Sequence, residues 1–348
     1  MWYNAKRRFM NMRYPCFIRA GDCMGLTAPS DGNRKEMDYI RLELAKKNIE
    51  SFGYSVCETP NVRTSIGGRS SDAQTRANEL MSLILNDSVK NIVLAKGGDF
   101  LMEILPLLDF DEISKHPKWV QGFSDSTGLV FTMTTMCDIA TLYSNHFNDF
   151  AITPMHDSQR YNLDILKGNI PIQRSFDWYE DGFYDRVRPE ESYRQDKKVA
   201  WHNGNGKPSV SMKGRALGGC FDVLLNLVGT PYDHVRDFSE KYGQDGIVWF
   251  LESFSLDAES ITRGLWQLKE AGWFVNSVGF CFGRPCMFES FLGYTYEEAV
   301  MAVLKDLRVP VIFDMDIGHK SPQLTIINGA LCEVESSGGK GSIEFITT

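Results

Sequence analysis

Lys118-Trp119-Val120-Gln121-Gly122-Phe123-Ser124-Asp125-Ser126-Thr127-Gly128-Leu129 is an apolar, aromatic run that stops at a Gly-Phe-Ser-Asp turn. A helical pattern (Thr127, Leu129, Val130, Phe131, Met133, Met136) takes over at once, so the stretch predicts a strand, a tight turn and a helix. A serine on such a bend holds its hydroxyl clear of the backbone, and the N–H of the next residue opens the helix toward any anion formed there. Ser124 is therefore a candidate nucleophile, with the Asp125 N–H as an oxyanion donor. The better-known turn is Gly-x-Ser-x-Gly, and here Ser126 stands at the second glycine. The competing role for Ser124 is a plain helix N-cap.

Working outward, the strand-then-helix unit recurs. Cys23 to Ser30 reads as a short buried strand ending in a Pro-Ser loop, and Lys35–Ser51 as a helix closed by Phe52-Gly53. Tyr54 to Thr59 is a second strand; Asp72 caps a helix through Leu85. Asn91-Ile-Val-Leu-Ala-Lys-Gly97-Gly98 is a continuous apolar run, the pattern of a parallel strand covered on both faces. A helix with Leu101, Met102, Ile104 and Leu105 follows, and a strand at Ile139–Ser144 closes the first domain. This repetition predicts an α/β fold with a doubly wound parallel sheet, whose ligands collect beyond the carboxyl ends of its strands. Gly97-Gly98 and Ser124 both fall at such ends.

The expected organisation is an N-terminal domain over 1–153, a long aromatic linker and active-site loop over 154–214, and a C-terminal domain over 215–348. The middle segment is polar and aromatic, with Trp178 and Trp201 among many charges, and is expected to lean over the site. In the last segment Ile247–Glu252, Val275–Cys281 and Val309–Asp314 read as strands, and Leu324–Ile327, Ala330–Val334 and Ser342–Ile346 as antiparallel strands.

The net charge of −8, with no compensating basic run, argues against a nucleic-acid surface. Eight scattered cysteines without a Cys-x-x-Cys pair are expected to be reduced core thiols rather than disulfides or metal ligands. The N-terminal Lys6-Arg7-Arg8 precedes no apolar stretch of signal-peptide length, and Met10 and Met12 are alternative starts. No window approaches the roughly 20 apolar residues of a membrane span. The expectation is a soluble cytoplasmic protein.

A serine hydroxyl is a poor nucleophile unless a base takes its proton and a third group holds that base. Among six histidines, His319 follows a buried strand and a glycine; His146, also after a strand, is its chief competitor. Glu252 ends the run Ile-Val-Trp-Phe-Leu, where a carboxylate is costly unless paired. Orienting an imidazole would pair it, and so would a structural salt bridge. Asp314 and Asp316 are rival acids for His319.

Taken together, Ala28-Pro29-Ser30, Lys96-Gly97-Gly98, Leu105-Pro106, Gly122-Phe123-Ser124-Asp125, Gly218-Gly219, Gly229-Thr-Pro231, Leu251-Glu252 and Gly318-His319-Lys-Ser-Pro322 resemble, in order and spacing, the LD-carboxypeptidase family of serine peptidases. The resemblance runs from about residue 17 to the C-terminus. It implies a flavodoxin-like N-terminal domain with Ser124 as nucleophile, and a second α/β domain supplying His319 as base and Glu252 as orienting acid. It also implies an oxyanion hole of the Gly98 and Asp125 N–H groups, no metal and no cofactor, and a homodimer.

One branch of that family trims D-alanine from murein tetrapeptides; another resembles the microcin C immunity peptidase and cleaves aminoacyl-nucleotides. The aromatic segment suits either, as a lid over a peptide or as a platform on which Trp178 or Trp201 stacks on a base. The different-class alternative is a non-catalytic peptide- or nucleotide-binding protein. Asp99-Phe100 departs from the family's Tyr-Gly and marks Asp99 as a substrate-edge residue, while Gly283-Arg284-Pro-Cys286 matches no assigned part of the pattern.

Overall fold

A computed structural model describes residues 12–347; Lys6-Arg7-Arg8 and Met10 lie outside the described residues. Five parallel strands, β1 (Cys23–Thr27), β2 (Ser55–Glu58), β3 (Val89–Leu94), β4 (Trp119–Gly122) and β5 (Thr141–Tyr143), run in the spatial order 5-4-3-1-2. That is the flavodoxin-like order. Ile92, Val93 and Leu94 of β3 are fully buried, as the unbroken apolar run requires of a strand covered on both faces. The covering helices include α1 (Glu36–Ser51) and α2 (Ala73–Leu85). Asp72 accepts the Thr75 N–H at 2.9 Å at the start of α2, a cap worth about 1 kcal/mol.

Leu101–Leu107, expected as a helix, is one of the 3₁₀ kind with Pro106 inside it. The short α3 (Phe110–Lys115) follows, capped by Asp109. After β4, one 3₁₀ turn over Ser124–Ser126 leads into α4 (Thr127–Cys137). Ten of its eleven residues are buried, as expected of a helix apolar all round. It sits between the two halves of the molecule: Phe131 stacks on Trp273 at 5.5 Å, and Thr127 Oγ1 accepts the Cys220 N–H at 3.0 Å.

Residues 154–214, expected as linker and loop, are more ordered than that. They contain the helix α5 (Asp157–Leu166), the two-residue strands β6 (Gln173–Arg174), β7 (Trp178–Tyr179), β8 (Lys197–Lys198) and β9 (His202–Asn203), and the start of β10 (Ser209–Cys220). Helix α5 is hidden in the sequence because half of its buried residues, Ser158, Gln159 and Asn162, are polar. Gln121 and Asn162 exchange amide hydrogen bonds at 3.0 and 3.2 Å, and Gln159 donates to the Tyr193 hydroxyl at 2.6 Å. Apolar periodicity cannot reveal a helix packed this way.

The second sheet has a parallel centre, β10, β11 (Ile247–Glu252), β12 (Ser277–Gly283) and β13 (Val311–Met315). Helices α6 (Phe221–Leu224), α7 (Val235–Tyr242), α8 (Ala258–Glu270) and α9 (Tyr296–Leu304) fall between these strands in the chain. The tail then crosses back. β14 (Ile326–Asn328) pairs antiparallel with β5 in the first sheet, whereas β15 (Leu331–Ser337) and β16 (Lys340–Ile346) form a hairpin on β10. β6 adds to β16, and β9 to β13.

Two expectations are corrected. Cys23 and Cys57 form a disulfide, with Cα atoms 6.3 Å apart, while the other six cysteines are free. The bond joins neighbouring strands in which Gly25 lies opposite Cys57, a proximity that a separation of 34 residues conceals. Disulfides persist in oxidising surroundings, so the cysteines do not point to a reducing compartment. Trp201, expected to offer a stacking face, is 2% exposed and donates its indole N–H to Asp316 at 3.0 Å. Among the described residues, no helix is long and apolar enough to cross a membrane.

Candidate active site

Strand β4 delivers Ser124 to the carboxyl edge of the first sheet, where the chain turns sharply. Ser124 takes a left-handed φ of 61°, a conformation that costs a non-glycine residue of order 1 kcal/mol and is kept only where the surroundings impose it. Its N–H donates to the Tyr143 hydroxyl at 3.2 Å. Gly97 packs directly against it: a Cβ at that position would lie 3.0 Å from Ser124 Cβ and 3.2 Å from its Oγ.

Strand β11 delivers Glu252 from the second sheet, fully buried. Its carboxylate accepts from the Tyr143 hydroxyl at 2.5 Å through Oε1 and faces His319 Nδ1 at 2.8 Å through Oε2. Burial and the Glu252 charge raise the Tyr143 phenol well above its ordinary pKa, so it remains a donor. The turn after β13 brings in His319 through Gly318, whose φ is 93° and whose missing side chain leaves room for the Glu252 carboxylate. His319 Nε2 lies 3.0 Å from Ser124 Oγ.

Hydroxyl, imidazole and carboxylate thus form one hydrogen-bonded line across the junction of the two sheets. Such an array can take a proton from the hydroxyl and hold the resulting imidazolium. Phe254 and Phe123 flank the imidazole at 4.7 and 5.2 Å between ring centres, and Phe183, from the middle segment, lies 5.8 Å from Phe254.

Asp125 turns its side chain away from the cleft. Its buried carboxylate accepts from Ser30 Oγ at 2.5 Å and from the Leu101 N–H at 2.8 Å. Burial raises its pKa, against the opposing pull of these bonds. The bonds tie the 30 and 100 loops to the helix start, with Gly98 held between them: a Cβ there would press into Ser30 Oγ.

The rivals are occupied elsewhere. Asp314 pairs with His202 at 3.1 Å and Asp316 with Arg284 at 2.9 Å. His146 is near the serine but not in the line: it stacks on Phe123 at 4.3 Å, and its Nε2 accepts the Phe123 N–H at 3.4 Å. Burial first, then the neighbouring His319, lowers its pKa to about 3. Asp99 is exposed at its loop tip. Trp178 is 40% exposed on the β7–β8 hairpin, with Lys198 Nζ 5.4 Å from its ring. Sequence reasoning missed Tyr143 as a site residue, although its place at the end of the strand beside β4 was a usable signal.

Two family models match the chain: the LD-carboxypeptidase N-terminal domain over residues 24–144 and the LD-carboxypeptidase C-terminal domain over residues 213–334. The chain is 24% identical to YocD of Bacillus subtilis (strain 168) over 334 residues, covering 95% of this chain and 98% of that protein. It also superposes on two solved structures. One is the microcin C7 self-immunity protein MccF, known from Escherichia coli, in complex with glutamyl sulfamoyl guanosine (TM-score 0.79, 20% identity, 96% of this chain and 98% of that one). The other is the muramoyltetrapeptide carboxypeptidase from Oxalobacter formigenes (TM-score 0.71, 19% identity, 93% and 99%). At these identities the structural likeness shows a shared fold.

Proposed function

The chain belongs to the LD-carboxypeptidase family, and from that premise we propose that it is a serine hydrolase that cleaves an amide bond through Ser124, His319 and Glu252. The observation that carries this reading is the unbroken line of contacts, 3.0 Å from Ser124 Oγ to His319 Nε2 and 2.8 Å from His319 Nδ1 to Glu252. Ser124 Oγ attacks the substrate carbonyl while His319 takes its proton, and Glu252 holds the imidazole with Nε2 toward the serine. The N–H groups of Asp125 and Gly98 receive the oxyanion. Collapse of the tetrahedral species expels the amine, protonated by His319, and leaves an acyl-enzyme; His319 then activates the water that releases it.

The substrate is either a murein tetrapeptide, cut at its L,D bond, or an aminoacyl-nucleotide of the microcin C kind. MccF has been solved with aminoacyl sulfamoyl nucleosides, and Trp178 keeps an exposed ring face on which a base could stack. Trp201 leaves the substrate-contact set. A homodimer belongs to the same reading and is checked by sedimentation.

Labelling by a fluorophosphonate probe tests the chemistry: wild type is labelled and Ser124→Ala is not. Folded wild type that stays unlabelled favours the binding-protein alternative. Release of D-alanine from a tetrapeptide, set against cleavage of an aminoacyl sulfamoyl adenosine, separates the substrates. Selective loss of the second activity in Trp178→Ala supports stacking on a base.

A further inference from the structure

Arg284 follows β12 in the Gly283-Arg284-Pro-Cys286 stretch, which the triad reading leaves without a role. Its side chain is 4% exposed. One guanidinium nitrogen, Nη1, donates to the Asp314 carbonyl at 2.9 Å; the other, Nη2, donates to the Lys320 carbonyl at 3.1 Å and meets Asp316 Oδ1 at 2.9 Å. The three partners lie at the start, the middle and the end of the turn 314–320 that carries His319. The Tyr179 ring stacks on the guanidinium at 4.3 Å.

The turn needs an external hold. Asp314 is left-handed at φ 57° and Gly318 at φ 93°, so it contains two residues outside the ordinary right-handed regions. A buried ion pair is weak evidence of stabilisation, because desolvation offsets most of the attraction. What a planar fork supplies that apolar packing does not is two carbonyls fixed relative to one another.

The other end of the network reaches the middle segment. Asp316, fully buried, accepts from Trp201 Nε1 at 3.0 Å and from the Phe176 N–H at 3.2 Å through its second oxygen. On the far side of the turn, the Glu180 N–H donates to the Ser321 carbonyl at 2.7 Å and Lys320 pairs with Asp181 at 2.7 Å. Residues 176–201 are therefore bonded to the turn at its middle and at its far end.

We propose that Arg284 is a positioning residue for His319, and that through Asp316 it couples the place of the imidazole to the segment 176–201 that borders the cleft. The proposal rests on the hydrolase reading for its effect on rate, but not for its effect on the imidazole. Arg284→Lys keeps the charge and loses the fork. It lowers kcat at least tenfold with KM within twofold, and shifts the low-field proton NMR signal of the His319–Glu252 hydrogen bond. Trp201→Phe removes one donor to Asp316, leaves the ring plane, and lowers kcat twofold to fivefold.

Val334→Ala in β15, a core truncation in the hairpin, is the control for a loss of stability alone: at equal loss of Tm it leaves kcat and the NMR signal unchanged. If Arg284→Lys does not fold, Trp201→Phe carries the same comparison. Variants that match the control in kcat and leave the His319 signal in place overturn the proposal. Absence of fluorophosphonate labelling in wild type overturns the hydrolase reading instead, and the NMR comparison still decides whether Arg284 holds the imidazole.

Discussion

The Tyr143 phenol donates to Glu252 Oε1 at 2.5 Å across the junction of the two sheets, and the phenol oxygen in turn accepts the Ser124 N–H at 3.2 Å. One hydroxyl therefore ties the backbone of the proposed nucleophile to the acid proposed to orient the base. Tyr143→Phe keeps the ring and removes both bonds, leaving a fully buried carboxylate oxygen without its donor. A hydrogen bond to a charged group is worth about 2 kcal/mol, or about 30-fold in rate if lost in the transition state. The expected outcome is a fall in kcat of that order with KM nearly unchanged, read in single-turnover acylation; an unaltered acylation rate would sink this role.

Glu252→Gln tests the tautomer. A glutamine in this place meets the Tyr143 hydroxyl with its carbonyl, so its NH₂ faces His319 Nδ1. The imidazole then carries its proton on Nε2, pointing at Ser124, and cannot take another from it. The expected loss in kcat is on the order of 10³–10⁴-fold, with the fold retained by circular dichroism. A loss below tenfold would show that Glu252 only fills its site.

Much of this was legible in the residues because the parallel strands are apolar and end in punctuation: Gly97-Gly98, Gly122-Phe123-Ser124 and Glu252 all mark strand ends where ligands gather. Helix α5 was not legible because its buried face interleaves Ser158, Gln159 and Asn162 with Leu163, Ile165 and Leu166, and Gln159 and Asn162 bond to Tyr193 and Gln121 on other elements. Trp201 misled because aromatic residues in a polar stretch read as exposed. Its indole is instead consumed by Asp316, 115 positions away. Nor could local pattern show that β14 returns to the first sheet.

Gly98→Ala places a Cβ against Ser30 Oγ, and 3.1 Å from Asp31 Cβ. Because Ser30 is held by Asp125 at 2.5 Å, the loop rather than the serine gives way, and the Gly98 N–H leaves the position proposed for it in the oxyanion hole. Loss of one such donor costs about 10²–10³-fold in kcat. Adding Ser30→Ala removes the obstructing oxygen and recovers part of that loss. Steady-state kinetics of the single and double variants check both statements; a single variant as active as wild type removes Gly98 from the oxyanion hole.

The Cys23–Cys57 bond closes a loop across the outer edge of the first sheet. A loop of this length constrains the unfolded chain by about 3–4 kcal/mol in the chain-entropy account. Thiol titration of unreduced protein in denaturant should find six free thiols, the number of unpaired cysteines. Paired Cys23→Ser and Cys57→Ser replacements should lower Tm and leave kcat unchanged, since neither residue belongs to the cleft. Eight titrating thiols would remove the bond from the account.

His146 gives a pH dependence of definite sign. Burial, with the charge of His319, holds its folded pKa at about 3, against about 6.5 in the unfolded chain. Between those values the unfolded state binds the extra proton, so this group's contribution to stability is complete above pH 6.5 and is lost as pH falls toward 3. By pH 5 the loss is about 2 kcal/mol. Asp125, Asp149 and Asp316, raised by burial, act in the opposite sense, so the wild-type curve alone does not isolate the histidine. His146→Gln retains an acceptor for the Phe123 N–H and cannot titrate. Urea unfolding at pH 7 and pH 5 should therefore show the stability difference between wild type and variant shrinking by about 2 kcal/mol at the lower pH. A difference that stays the same at both values would mean the imidazole is solvated rather than packed under Phe123.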